Sequence, residues 1–182
     1  MAARATMAKL IALVRGLIND HAGTAQIFTD DQIQEHLDYC RLYMNDELTN
    51  LKNQSNAVIG WQSSNRYWED TAVLVDGSST ILSALSSDPI TSYWTFTVNP
   101  SSVFVSGLVY DVYAAAAELL TLWAGKLGSS EVTKFSADGS SYEFGSSINQ
   151  KLALASQYMA KSSILGGPRT AEMVRNDLNV IY

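Results

Sequence analysis

Few residues in this chain could carry chemistry. Nucleophilic catalysis by cysteine needs a base oriented beside it, and the sequence supplies one cysteine, Cys40, with two histidines, His21 and His36. His36 and Cys40 stand four apart, which puts them on one face of a helix, so a working pair is geometrically allowed. Cys40, however, falls in an apolar stripe, where a free cysteine behaves as a small core hydrophobe, and the structural reading is favoured. The same three residues, in no paired motif, cannot fill the three or four ligand positions of a zinc site without carboxylates that nothing in the sequence singles out. Asp30-Asp31 reads as helix-start chemistry and Glu69-Asp70 as a solvated strand start, since no apolar pocket can be argued to perturb either pair. GxGxxG, P-loop, GxSxG and EF-hand patterns do not occur, and the Asp-Gly pairs at Asp76 and Asp138 are turn sequences. The sequon Asn53-Gln54-Ser55 carries no meaning without secretion. The expectation is a protein that is not an enzyme and uses no cofactor or metal.

The elements that would position a site point instead towards contact surfaces. Charged residues are only 16 % of the 182, against 47 % apolar, where a soluble domain usually carries about a quarter charged. A weakly charged surface suits a protein that neighbours cover, because interface cores are depleted in charge and enriched in Tyr, Trp and Met. Trp61, Tyr67, Trp68, Tyr93 and Trp94 crowd one short region; they are the candidate seam between subunits, with the alternative that they form that region's own core. A net charge of −6 and the lack of any Lys/Arg run argue against nucleic-acid binding. One cysteine excludes an intramolecular disulfide, and the chain reads as made in the cytosol. Lys9 and Arg15 interrupt the apolar N-terminal run, which predicts an amphipathic helix rather than a signal peptide. No apolar run is long enough to cross a membrane.

Periodicity predicts a mainly α protein, a four-helix core with a β insertion of two hairpins between the second and third helices, and an extended C-terminal tail. The first helix spans about 3–20, with Leu10, Ile11, Val14, Leu17 and Ile18 at helical spacing. The second starts at Thr29, where Gln32 completes a capping box and Phe28 with Ile33 a hydrophobic staple. Its stripe, Ile33, Leu37, Cys40, Met44, Leu48 and Leu51, carries it to about residue 52. Over 53–107 the pattern turns β-rich. Tyr67–Val75 and Thr80–Leu85 are predicted to pair across Asp76-Gly77, and Tyr93–Val98 with Val103–Ser106 across Asn99-Pro100. The third helix, 108–127, carries Ala114–Ala117, which lets other helices approach closely and puts it at the centre. After a polar stretch the last helix runs over 147–165, presenting Ile148, Leu152, Ala155, Tyr158 and Met159, and Gly166-Gly167-Pro168 stops it. The domain is thus 1–166. The tail over 167–182, with Arg169, Val180, Ile181 and Tyr182 as candidate contacts, is expected to reach a neighbour by strand addition or insertion.

The order of these features resembles the head-tail connector, or adaptor, proteins of tailed bacteriophages. The resemblance is carried by FTDDQIQEHLDYCR from Phe28, AVLVDGSSTIL and SDPITSYWTFT in the insertion, VYDVYAAAAELLTLWAGKL from Val109 and FSADGSSYEFGSSINQKLALASQYM from Phe135. It covers roughly residues 28 to 160 and contains no catalytic motif. It implies a twelve-fold homo-oligomeric ring in the neck of the virion, docked on the portal protein and receiving a head-closure or tail-completion protein below, with DNA passing through the lumen without sequence-specific binding and no membrane. An acidic lumen would repel phosphate. The competing readings are a head-closure or tail-completion protein of the adjacent ring, a small hydrolase packaged with the particle, and a peptide-binding adaptor module.

Overall fold

The computed structural model describes residues 5–54, 58–129, 134–137, 140–143 and 145–162. Helix α1 (Ala5–Ile18) buries Met7, Leu10, Val14 and Ile18, the face its spacing predicts. Arg15, placed by that spacing outside the stripe, is buried as well. Its guanidinium donates to Asp20 (3.1 Å), to Asp30 (2.7 Å) and to the Phe28 carbonyl (2.9 Å). Asp20 in turn accepts from the Ile27 and Phe28 N–H groups. The network fixes the turn that leads into α2 (Asp30–Tyr39), whose capping box at Thr29 and Gln32 is present. Phe28 and Ile33 are both buried, as a staple requires.

The molecule is a mixed α/β fold, with four helices and nine strands among the described residues, and not the predicted mainly α four-helix core. The largest departure lies at 40–54. Helix α2 stops at Tyr39, and the stripe expected to continue it is extended chain: β1 (Arg41–Leu48) and β2 (Asn50–Gln54). Strand β1 pairs antiparallel with β7 (Phe104–Tyr110), Arg41 opposite Tyr110 and Leu48 opposite Phe104. As a helix, residues 41–48 would have left that side of β7 without backbone partners, and a row of unmatched peptide groups outweighs helix propensity. The strand breaks register between Met44 and Glu47, where Asp46 takes φ +48°, a bulge at an Asn-Asp pair ill suited to a helix interior.

Strand β7 also takes β4 (Val73–Val75) on its other side, which makes a three-stranded sheet β1-β7-β4. A second sheet has the order β2-β3-β6-β5, with β3 (Ile59–Gln62), β5 (Ser86–Asp88) and β6 (Tyr93–Phe96), antiparallel throughout. The two predicted hairpins are therefore corrected. The turn at Asp76 forms, its carboxylate accepting from Ser78 and Thr80, but past a single Val75–Ile81 bridge β4 takes β7 as its partner. Strands β6 and β7, expected to pair across Asn99-Pro100, enter different sheets. One sheet contributes Leu74, Val105 and Val109, the other Ile59, Trp61, Trp94 and Phe96, and these side chains with Trp68 and Val103 form one core. The Tyr93 ring lies across Gly60 in β3, so a Cβ there would meet the phenol end of that side chain and the ring would have to shift.

Asp111, predicted inside the third helix, is instead the N-cap of α3 (Val112–Gly128), so that Leu108–Tyr110 belong to β7. Its carboxylate accepts from the Tyr113 and Ala114 N–H groups and from the Ser162 hydroxyl (2.5 Å). Ala114–Ala117 are buried, and α3 packs against α1, α2 and α4 (Gly145–Lys161), the central place that small residues permit. The stretch read as a polar connection before α4 contains the hairpin β8 (Lys134–Ala137) and β9 (Ser140–Glu143). Residues 138–139 and the tail over 167–182 lie outside the described residues.

Candidate interaction surfaces

The aromatic residues singled out in the sequence are drawn together, but inward. Trp68 is 0 % exposed and Trp61 and Trp94 are buried with it; the Trp68 and Trp94 rings meet edge to face at 6.3 Å. Tyr67 is half-buried against the helical core and Tyr93 covers Gly60. Most of this cluster is thus the β region's own core, the alternative the sequence left open. Trp61 Nε1 and Ser92 Oγ are buried and have no hydrogen-bond partner among the described residues. The tail candidates Arg169, Val180, Ile181 and Tyr182 lie outside the described residues.

Exposed apolar area lies elsewhere, at positions that helical periodicity had hidden. One set lies on β1 and β2, consecutive in the chain and outer strands of different sheets: Leu42, Tyr43, Leu48 and Leu51, beside Tyr39, which is 69 % exposed. Another flanks the far edges of the two sheets: Val73 on β4, Ile81 (73 % exposed) and Leu85 (60 %) just before β5. By strand order β1 and β4 are the outer strands of one sheet, with Ile81 and Leu82 bonded along the side of β4 away from β7, and β2 and β5 are the outer strands of the other. The third set lines a groove of about 590 Å³ where α2, α3 and α4 meet, with Leu122, Leu152 and Met159 as its exposed apolar walls. Leu152 and Met159 belong to the set that the last helix is predicted from the sequence to present.

The polar groups near these surfaces are held in place by identifiable bonds. Glu47, next to the bulge of β1, accepts from the Ser63 hydroxyl, the Ser64 N–H and hydroxyl, the Asn65 N–H and the Asn65 amide. Burial pushes its carboxyl up, but the hydrogen bonds from Ser63, Asn65 and Ser64 outweigh that, and the carboxyl is held below its ordinary range. At the groove rim, His36 Nδ1 lies 3.0 Å from Glu118 Oε2. Burial draws the Lys151 ammonium below its ordinary value; its Nζ lies 3.4 Å from the Trp123 ring centroid.

The His36–Cys40 pair does not read as a nucleophile and its base. Cys40 is fully buried in the helical core as the C-cap of α2, its N–H donating to the His36 and Leu37 carbonyls, while the His36 ring is engaged with Glu118 on α3. Among the described residues no group of three or more His, Cys, Asp or Glu side chains could hold a metal ion, and no helix is long and apolar enough to cross a membrane. What the arrangement can do is bind chains: free strand edges accept further strands, and an apolar groove between helices accepts an amphipathic segment. Comparison of the chain with models of known protein families, with characterised proteins and with solved structures finds no match.

Proposed function

We propose that this protein is a non-enzymatic structural subunit that assembles with copies of itself into a ring in the neck of a tailed phage particle. In this reading the ring lies between portal and tail, extends the DNA channel and offers a docking face to a head-closure or tail-completion protein; twelve copies follow from the resemblance to connectors. The observation that carries the proposal is the placement of exposed apolar side chains at both outer strands of one sheet, Leu51 on β2 and Leu85 just before β5. A lone folded domain gains nothing by leaving such edges open, since an unpaired apolar edge invites association. A subunit held by a neighbour on each side needs two different contact faces, and a ring is the closed form of that contact. The net charge of −6 suits a channel through which DNA slides without binding.

The test is the mass of the purified protein by light scattering, alone and mixed with the portal protein of the same virus. A fixed large complex with the portal supports the proposal. A chain that ignores the portal sinks the connector position and favours the adjacent head-closure or tail-completion ring. A second reading, a peptide-binding adaptor module, draws on the groove at Leu122, Leu152 and Met159; a stable monomer that binds one helical peptide there would favour it.

A further inference from the structure

We infer that copies of this chain join head to tail through the four-stranded sheet, β2 of one copy against β5 of the next. The inference rests on the ring reading above and names its seam. The first argument is strand parity. In the order β2-β3-β6-β5 every neighbouring pair is antiparallel, so β2 and β5 run in opposite directions. A second copy set beside the first in the same orientation therefore meets β5 with an antiparallel β2, and the sheet continues without a change of pattern. An odd number of strands would have produced a parallel junction, which is less stable per residue.

Charge supplies the second argument. Strand β2, Asn50-Leu51-Lys52-Asn53-Gln54, carries a single charge, Lys52, and β5, Ser86-Ser87-Asp88, carries a single charge of opposite sign, Asp88. Pairing like edges would set Lys52 near Lys52 or Asp88 near Asp88. The head-to-tail junction sets lysine near aspartate, and electrostatic complementarity of this kind selects partners and fixes register. The flanks agree, because Leu51 on one edge and Leu85 at the other are exposed and would lie at the junction. Among the described residues no strand pairs with the outer side of β2 or of β5.

The junction is short, five residues against three. A single junction is therefore weak. Association should rise with protein concentration, and closure, in which every copy is held on both sides, should stabilise the ring over open pairs.

Sedimentation velocity on the full chain over a wide concentration range, alone and with the portal protein, tests this. Lys52→Glu is expected to weaken self-association roughly three- to tenfold by replacing an attraction with a repulsion. The exchange Lys52→Asp with Asp88→Lys is expected to restore it. Asp88 also accepts from the Ile90 N–H and the Thr91 hydroxyl, so its charge is tested separately by Asp88→Asn, which keeps an acceptor for that turn, with circular dichroism melts to establish folding. Self-association that Lys52→Glu and Asp88→Asn leave unchanged overturns the β2–β5 seam while the ring reading stands. A closed two-copy species overturns the head-to-tail geometry. A chain that stays monomeric at every concentration, with and without portal, removes the ring reading itself.

Discussion

Replacement of Glu47 should destabilise the protein in a pH-dependent way, and the size follows from its partners. Five donor contacts converge on one carboxylate: Ser63 Oγ at 2.5 Å, Ser64 N at 3.1 Å and Oγ at 2.8 Å, Asn65 N at 3.2 Å and Asn65 Nδ2 at 2.5 Å. They tie the 63–65 loop to β1, and that loop holds Trp68, whose indole N–H donates to Ser63 Oγ and to the Asn65 carbonyl. A hydrogen bond to a charged group contributes about 1.5–3 kcal/mol. Glu47 is only partly buried, however, and the exposed Ser64 groups can turn to water when it is removed. Discounted for screening, Glu47→Ala should cost about 2–3 kcal/mol and Glu47→Gln about 1–2 kcal/mol, the amide presenting a donor where one more acceptor is needed. Because the folded carboxyl titrates below its unfolded value, the stabilisation is complete above the unfolded value near 4.5 and disappears as pH falls through the folded one. Urea unfolding of wild type and Glu47→Gln at about pH 7 and about pH 3.5 reads this directly. The gap between them should be present at the higher pH and shrink at the lower. A Glu47→Ala protein within about 0.5 kcal/mol of wild type near neutral pH, or a gap that does not change with pH, would refute the reasoning.

Three further substitutions probe the packing. Arg15→Ala leaves the buried Asp20 carboxylate without its cation and is expected to cost about 3–5 kcal/mol in denaturant unfolding; a loss under about 1 kcal/mol would mean the network contributes little to the fold. Ser92→Gly should stabilise by about 1–2 kcal/mol, since Ser92 sits at φ +61° with a buried hydroxyl that has no partner among the described residues; the melting temperature should rise about 2–4 °C per kcal/mol, and a fall contradicts the assignment. Gly60→Ala pushes a methyl into the Tyr93 ring and should cost about 1–3 kcal/mol. In a double-mutant cycle with Tyr93→Ala most of that cost should vanish, whereas additive effects would place the strain elsewhere.

Local signals were legible where one short segment decides its own conformation. The capping box at Thr29 and Gln32 and the turn at Asp76 form as read, because each depends on neighbours within a few residues; the stripe of α1 and the Ala run were legible because helical spacing alone gathers their residues on faces fit for packing. The stripe from Cys40 to Leu51 misled for an identifiable reason. Its spacing of three and four satisfies a helix, the bulge between Met44 and Glu47 that puts Met44 and Leu48 on opposite faces of the strand has no signal in that spacing, and nothing nearby shows that β7 needs a partner some 60 residues away. The exposed edges were invisible for the same reason, since an edge exists only once strand order is settled. The aromatic cluster could be assigned to a core or to a seam by composition alone; burial of Trp61, Trp68 and Trp94 assigns most of it to the core.

By itself the sequence determined the caps, the turns, the weakly charged acidic surface, the scarcity of residues able to do chemistry, and which segments are apolar enough to pack. Tertiary structure decided that residues 41–54 are strands, that β6 and β7 part into separate sheets, and that Arg15 and Glu47 are structural anchors. The division follows range: a cap or a turn is settled by contacts a few residues apart, whereas strand partnership and burial are settled by whichever distant backbone has unmatched N–H and C=O groups to satisfy.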